Sequence, residues 1–138
     1  MMFKNEYSWL SNFHPCNIEY EGVIYPTLEH CYQACKSFNP SERVAISQLL
    51  TPGKAKRHKT QFPVLDFHTF KIDLMYKLLT LKFRDDELRT RLVSTGDLFI
   101  EESNTWGDQF WGVCNGVGDN ILGNLIMRVR NDINRLEK

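Results

Sequence analysis

The strongest constraint on the fold is an amphipathic segment at residues 120–136. Its apolar residues recur at intervals of three or four, at Leu122, Leu125, Ile126, Val129, Ile133 and Leu136. This spacing places them on one face of an α-helix, and that face must be buried against other elements. Residues 66–83 show the same type of spacing. The sequence therefore predicts two long helices that contribute to the core.

Shorter elements are predicted around these helices. Residues 18–25 form a β-hairpin that turns at Glu21-Gly22. Further helices are expected at residues 41–50, after the Thr51-Pro52 cap, and at residues 85–94, and a short strand is expected at residues 98–100. The predicted class is α+β: a helix-dominated single domain with a small N-terminal β-hairpin and short strands.

Length and composition limit the type of protein. The 138 residues fit one domain, residues 1–138, which is long enough to bury a core without disulfides or metal. No apolar run approaches the length of a membrane span, and the first residues lack an apolar signal region. We therefore expect a cytoplasmic protein that does not bind membranes.

Charge and cysteine usage exclude other classes. Seventeen basic residues balance 17 acidic ones, so the broad attraction that nonspecific nucleic-acid binders use is missing, and no stable nucleic-acid binding is expected. The four cysteines show no Cys-x-x-Cys pair and no zinc-type spacing with histidine, so no metal site is predicted. A basic cluster at residues 54–59 could contact phosphate, with a solvated helix face as the alternative.

A helix with an acidic first turn is predicted to begin after Pro26. Thr27 can cap it, which puts Glu29 near the second helical position. Unpaired amides and the helix dipole favour the ionised form there, so Glu29 is expected to be a carboxylate that can stabilise a developing cation. The alternative is a surface helix on which Glu29 only complements the dipole. His30 is expected to make a structural hydrogen bond.

Residues 103–120 form a loop that is rich in aromatic residues, glycine and short polar side chains. Trp106 and Trp111 offer flat surfaces on which a base or ribose can stack, and glycines let the backbone approach a ligand closely. The start of the last helix adds a positive dipole end that suits a pyrophosphate. The alternatives are that Trp111 is a core aromatic and Asp108 a turn residue or cap.

Taken in order, these motifs resemble the NADAR superfamily, the YbiA-like N-glycosidase family. The matching segments are Trp9-Leu10-Ser11-Asn12-Phe13, residues 25–36, Leu81-Lys82-Phe83, Thr95-Gly96-Asp97, Asp108-Gln109-Phe110-Trp111-Gly112 and residues 116–130. They cover nearly the whole chain. The Ser-Asn-Phe, Pro-Thr-x-Glu-His and Asp-x-x-Trp-Gly elements, in that order, are much more specific together than any one alone.

The resemblance implies a helix-rich α+β domain that cleaves N-glycosidic bonds, in early riboflavin-pathway intermediates or in ADP-ribose linked to guanine in nucleic acid. It gives catalytic roles to Glu29 and Asp108. It implies a set of substrate-binding residues: Asn12, Phe13, Lys36, Trp111, Gly112, Gly116, Gly118 and Asn120. The expected partner is a small phosphorylated nucleotide-like substrate or ADP-ribosylated guanine, without a cofactor or metal. The alternative is a non-catalytic module that binds ADP-ribose or a related nucleotide.

Two departures from some relatives bear on substrate binding. This chain has Phe67-His68 where some relatives enter the long helix with Trp, and Lys59-Thr60 where some have Gly-Arg. An Arg missing from a phosphate pocket could be replaced by Arg57 or Lys59, because both are cations that bind phosphate. These differences leave the identity of the phosphorylated substrate open.

Overall fold

The computed structural model describes residues 1–137 and confirms the α+β class. A 3-10 helix, Asn5–Leu10, precedes the other elements, which are β1 (Pro15–Tyr20), β2 (Val23–Thr27), α1 (Leu28–Ala34), α2 (Pro40–Ser47), α3 (Pro52–Arg57), α4 (Phe67–Lys82), α5 (Asp86–Ser94), β3 (Ser103–Asn104), β4 (Val113–Cys114) and α6 (Ile121–Leu136). No helix in the described part of the chain has the length and apolar character that crossing a bilayer requires.

The predicted hairpin is present and fixes the start of α1. Strands β1 and β2 pair antiparallel, with Tyr20 opposite Val23. Glu21 and Gly22 between them both have positive φ, at 49° and 84°, as a tight two-residue hairpin turn requires. Strand β2 ends at Thr27, whose Oγ1 accepts a 3.1 Å hydrogen bond from the His30 backbone amide. The chain therefore passes from strand to helix without a loop.

Helix α1 lies at the centre of the molecule. All seven of its residues are buried, and it packs against α2, α3, α4 and the hairpin. Its apolar residues are part of the core, and its polar residues Glu29 and Gln33 are also withdrawn from solvent. This burial rules out a solvated surface helix as the setting of Glu29.

The two long helices were predicted within one residue of their observed bounds, and they pack against each other in the core. The predicted strand at residues 98–100 is wrong. Arg130 Nη1 donates to the Leu98 carbonyl at 2.9 Å, and Asn120 Nδ2 donates to the Ile100 carbonyl at 3.0 Å. Side chains therefore occupy the backbone acceptors that a strand would use. The local pairing is instead the two-residue parallel ladder of β3 and β4.

A buried lysine, Lys82, ties α4 to the chain that follows the 3-10 helix. Its side chain is 2% exposed, and its Nζ donates to the Ser11 carbonyl at 2.8 Å and lies 5.3 Å from the centroid of the Phe83 ring. Burial lowers the pKa of Lys82 to about 8, because the charged form loses its hydration. Folding therefore weakens proton binding at this amine.

A Lys82→Met variant should reveal this weakened proton binding as a pH-dependent stability difference. The unfolded chain holds the Lys82 proton up to about pH 10.4, whereas the folded protein releases it near pH 8. The unfolding free energy of wild type minus that of the variant should therefore rise by up to about 3 kcal/mol between pH 8 and 10.5. Below pH 8 the difference should be constant. Urea unfolding across this range measures it.

The exposed Lys77 on the same helix provides the control. Lys77→Met removes a lysine from the exposed side of the helix, so it measures the effect of losing a lysine side chain without emptying a buried site. If the unfolding free energy of wild type minus that of Lys82→Met stayed constant from pH 7 to 10.5, proton binding at Lys82 would not be weakened by folding.

Candidate functional site

A cavity of about 680 Å³ opens beside α1 and is lined by side chains from distant parts of the sequence. Its volume is in the range of small-molecule sites. Three carboxylates line it, those of Glu29, Glu102 and Asp108. The lining also contains four lysines, one histidine and six aromatic residues: Lys4, Lys36, Lys56, Lys71, His68, Phe3, Phe13, Tyr32, Phe67, Trp106 and Trp111. This mixture suits a ligand with both an aromatic and an anionic part.

Glu29 is held in the wall of the cavity by its neighbours. Its side chain is 8% exposed, and its Oε1 accepts a 2.8 Å hydrogen bond from Gln33 Nε2, one turn further along α1. Its backbone amide donates to the Asn12 carbonyl at 3.1 Å. The loop after the 3-10 helix and the start of α1 are therefore joined where they face the cavity.

The helix terminus was expected to favour ionised Glu29, but burial raises the pKa of this carboxyl instead. The hydrogen bond from Gln33 and the positive charges of Lys56 and Lys36 oppose the rise. The amides that were expected to stabilise the charge have other acceptors, since the His30 amide bonds to Thr27 and the Glu29 amide bonds to Asn12. Loss of hydration is therefore the largest influence on Glu29.

His30 has the structural role that was predicted for it. Its Nδ1 lies 2.7 Å from Thr27 Oγ1, and its Nε2 lies 3.0 Å from the Leu49 carbonyl oxygen. The ring is 1% exposed and does not line the cavity. Nδ1 therefore contacts the N-cap of α1, and Nε2 connects α1 with the segment that follows α2.

Asn12, Phe13 and Lys36, three of the predicted substrate-binding residues, line the cavity. Asn12 Nδ2 lies 3.7 Å from Met75 Sδ, while Asn12 Oδ1 is buried and has no hydrogen-bond partner within residues 1–137. A buried amide oxygen without a partner is costly, so a ligand donor at this position would satisfy it. Lys36 Nζ lies 5.2 Å from the Tyr32 ring centroid, and burial lowers its pKa.

Asp108 and Trp111 combine the site and structural roles that were weighed for them. Asp108 lines the cavity, and its Oδ1 also accepts from the backbone amides of Phe110 and Trp111, at 3.1 and 3.0 Å, as a turn residue does. The Trp111 ring meets Tyr32 edge to face at a centroid distance of 5.9 Å and lines the cavity as well. The turn therefore holds the indole against α1.

The remaining four predicted substrate-binding residues, Gly112, Gly116, Gly118 and Asn120, do not line this cavity. A Cβ at Gly112 would lie 1.7 Å from Glu102 Oε2, and a Cβ at Gly118 would lie 2.2 Å from the Gly112 carbonyl oxygen. Gly116 has a φ of 79° in the turn between Cys114 and Val117.

Asn120 has a structural role next to these glycines. Its φ is 51°, and its Oδ1 accepts from the Glu102 amide at 2.9 Å. Its Nδ2 donates to the carbonyl of Ile100. The geometry therefore supports packing and positioning roles for Asn120 and the three glycines, in place of direct contact with a ligand.

Glu102 and Lys56 are among the cavity residues that sequence reasoning did not assign to the site. Glu102 lies in a short acidic run, Glu101-Glu102, with no helical or strand periodicity to place it, although its position just before the aromatic loop was a usable signal. Lys56 was included only in the basic cluster. It is the member of that cluster that lines the cavity, with its Nζ 5.9 Å from the Phe13 ring centroid and 6.0 Å from that of Trp106.

The basic residues proposed as substitutes for a missing Arg, Arg57 and Lys59, do not line the cavity. Phe67 and His68, the pair that departs from some relatives, both do. Within residues 1–137, no group of three or more histidine, cysteine, aspartate or glutamate residues is arranged to hold a metal ion. The cations available to an anionic ligand are those of the lining lysines, Lys4, Lys36, Lys56 and Lys71.

Comparison with known proteins gives a consistent set of relatives. The chain is 36% identical over 140 residues to an N-glycosidase of Nostoc punctiforme, covering 94% of this chain and 88% of that protein. It is 31% identical over 134 residues to the N-glycosidase YbiA of Escherichia coli, covering 94% and 83% respectively. It is 30% identical to a riboflavin biosynthesis protein of Vibrio vulnificus, of which it spans only 36%.

The solved structures and the family comparison agree with these relatives. The NMR structure of E. coli YbiA superposes with a TM-score of 0.84 at 30% identity, covering 100% of this chain and 86% of that one. The family description that matches residues 2–134 is the NADAR domain. The chain therefore belongs to the NADAR domain family, and its match to N-glycosidases over most of their length assigns it N-glycosidase activity.

Proposed function

We propose that this chain hydrolyses a ribose–base N-glycosidic bond in a phosphorylated nucleotide-like substrate. The candidate substrates are a ribosylamino-pyrimidine intermediate of the riboflavin pathway and ADP-ribose linked to guanine in nucleic acid. The observation that carries the proposal is the burial of Glu29 in one cavity with Asp108, Trp111 and several cations.

The proposed chemistry begins with charge on the sugar. Breaking the ribose–nitrogen bond builds positive charge on the ring, so the oxocarbenium-like transition state gains from a carboxylate held close to it. Glu29 is suited to this role because the Gln33 hydrogen bond fixes its orientation. Its exclusion from water also strengthens its interaction with a cation. Asp108, which keeps one oxygen free of its turn hydrogen bonds, would position water or assist proton transfer to the base.

The rest of the cavity matches the other parts of such a substrate. Trp111 and Trp106 offer flat faces for the heterocycle, and the free Asn12 Oδ1 is an acceptor for a ribose hydroxyl or a base amine. Lys36 and Lys56 can neutralise phosphate within a protein that has no net charge. Binding would therefore depend on local cations.

A substrate panel tests the proposal. The protein would be incubated separately with a ribosylamino-pyrimidine phosphate, NAD, ADP-ribose and guanine-ADP-ribosylated DNA, and free base would be measured by mass spectrometry. Release of base from at least one probe is expected. A rise in melting temperature with ADP-ribose but no base from any probe would favour the non-catalytic binding module instead.

A further inference from the structure

Glu102 is a second buried carboxyl in the wall of the cavity. It is 8% exposed, like Glu29, but it comes from the segment that enters β3, whereas Glu29 comes from α1. A carboxyl group is expensive to bury, and this one has no cation within salt-bridge distance among residues 1–137. Its position in the cavity therefore calls for an explanation beyond stability.

The surrounding loop is built to hold this carboxyl in one place. The Glu102 amide donates to Asn120 Oδ1 at 2.9 Å, and its carbonyl accepts from the Val113 amide at 2.8 Å. Its Oε2 accepts from Asn104 Nδ2 at 2.9 Å. Gly112 leaves the space that the carboxyl occupies, since any side chain there would collide with Oε2. Backbone and side chain are thus fixed from several directions.

The two buried glutamates, Glu29 and Glu102, differ in the charged groups and hydrogen bonds around their carboxyls. Burial raises the pKa of both carboxyls, but Glu29 has Lys56, Lys36 and a hydrogen bond from Gln33 to favour its charged form. Around Glu102, the negative charge of Asp108 adds to the rise, and only Lys56 and the Asn104 hydrogen bond oppose it. Two carboxyls in one site whose charged neighbours differ can divide the acid and base roles between them.

We propose that Glu102 is the general acid of this site and protonates the heterocycle as it leaves. The role rests on the proposed N-glycosidase function and supplies its missing proton donor. As the C1′–N bond breaks, its electron pair stays on the base nitrogen, which takes the proton from Glu102. Water adds its oxygen to C1′ and gives its extra proton to Glu29. Solvent then removes that proton from Glu29 and returns one to Glu102, so the cycle balances.

Other cavity groups are less suited to donate this proton. Asp108 Oδ1 already accepts two backbone amide hydrogen bonds, which tie this side chain to its own turn. His68 is exposed, and its Nδ1 lies 3.4 Å from Lys71 Nζ. Glu102 combines burial, fixed orientation and access to the cavity.

The test compares Glu102→Gln with Glu101→Gln, a control at the adjacent carboxylate, which does not line the cavity. Two probes are used: a ribosylamino-pyrimidine phosphate, whose base leaves with a proton, and nicotinamide mononucleotide, whose neutral base leaves without one. With the first probe, Glu102→Gln should lower kcat by about 100-fold or more, whereas Glu101→Gln should not. With nicotinamide mononucleotide, the Glu102→Gln loss should stay below about tenfold. With the first probe, wild-type kcat should fall at alkaline pH as the general acid loses its proton, and this fall should be absent in Glu102→Gln.

A carboxyl titration makes the test independent of turnover. In protein labelled with ¹³C at the glutamate carboxyl, NMR should show Glu102 losing its proton at a higher pH than Glu29. Titration of Glu102 below Glu29 would overturn the proposal, as would a folded Glu102→Gln variant that keeps more than half of wild-type activity on the ribosylamino-pyrimidine phosphate. Absence of base release by wild type from every probe would instead remove the proposed function itself, and this role with it.

Discussion

Replacing Glu29 with Gln should lower base release by about 10³-fold while the protein remains folded. The amide keeps the size of the side chain, and its oxygen can still accept from Gln33 Nε2. It cannot supply the negative charge that stabilises the sugar cation, so the loss should appear in kcat more than in KM. Steady-state rates by mass spectrometry, on whichever panel substrate the wild type cleaves, measure the effect.

The stability of the Glu29→Gln variant separates a catalytic role from a structural one. Burial raises the pKa of this carboxyl, so the folded state gains nothing from its charge, and the melting temperature should not fall. Glu87→Gln, at an exposed glutamate that pairs with Arg91, is a control that should keep full activity. Glu29→Gln activity within threefold of wild type would remove Glu29 from its assigned role.

The helices and turns that could be predicted are those whose formation depends on residues close together in the sequence. The spacing of apolar residues predicted α4 and α6, and Glu21-Gly22 predicted the hairpin turn, because these patterns act within a few residues. Helix α2 was displaced: it begins at Pro40 and ends at Ser47, whereas residues 41–50 were expected. The Asn39 side chain caps it one residue earlier, and the Leu49 carbonyl beyond its end is used by His30.

Only those site residues that are marked by their neighbours in the sequence could be predicted. Glu29 was found because a cap and an acidic first turn mark it, but the effect of burial on its pKa depends on distant residues such as Asn12, Lys56 and those of α4. Glu102 has no helical or strand periodicity, and its one local signal is its position just before the aromatic loop. Its proposed role depends on the space that Gly112 leaves beside its carboxyl and on the hydrogen bond from its amide to Asn120. Both are contacts between residues that are distant in the sequence.

Replacing Gly112 with Ala should reduce base release by about 100-fold or more, because it displaces Glu102. The new Cβ would lie 1.7 Å from Glu102 Oε2 and 2.3 Å from the Glu102 carbonyl oxygen. The carboxyl can rotate away, but the carbonyl is held by the Val113 amide, so the backbone must shift too. The unfolding free energy should fall by about 1–3 kcal/mol, as for other overpacked sites. Urea unfolding and turnover per folded molecule measure the two effects.

Gly96→Ala is the control that separates the displacement of Glu102 from the general loss of stability on replacing a glycine with alanine. Gly96 has a φ of 59° and no heavy atom within 4 Å of a Cβ built on it, so alanine there should cost about 1 kcal/mol of backbone strain. Gly96 follows α5 and does not line the cavity, so turnover per folded molecule should be unchanged. If Gly112→Ala kept wild-type turnover while folded, the position of Glu102 would not matter to catalysis, and Gly112 would be a packing residue only.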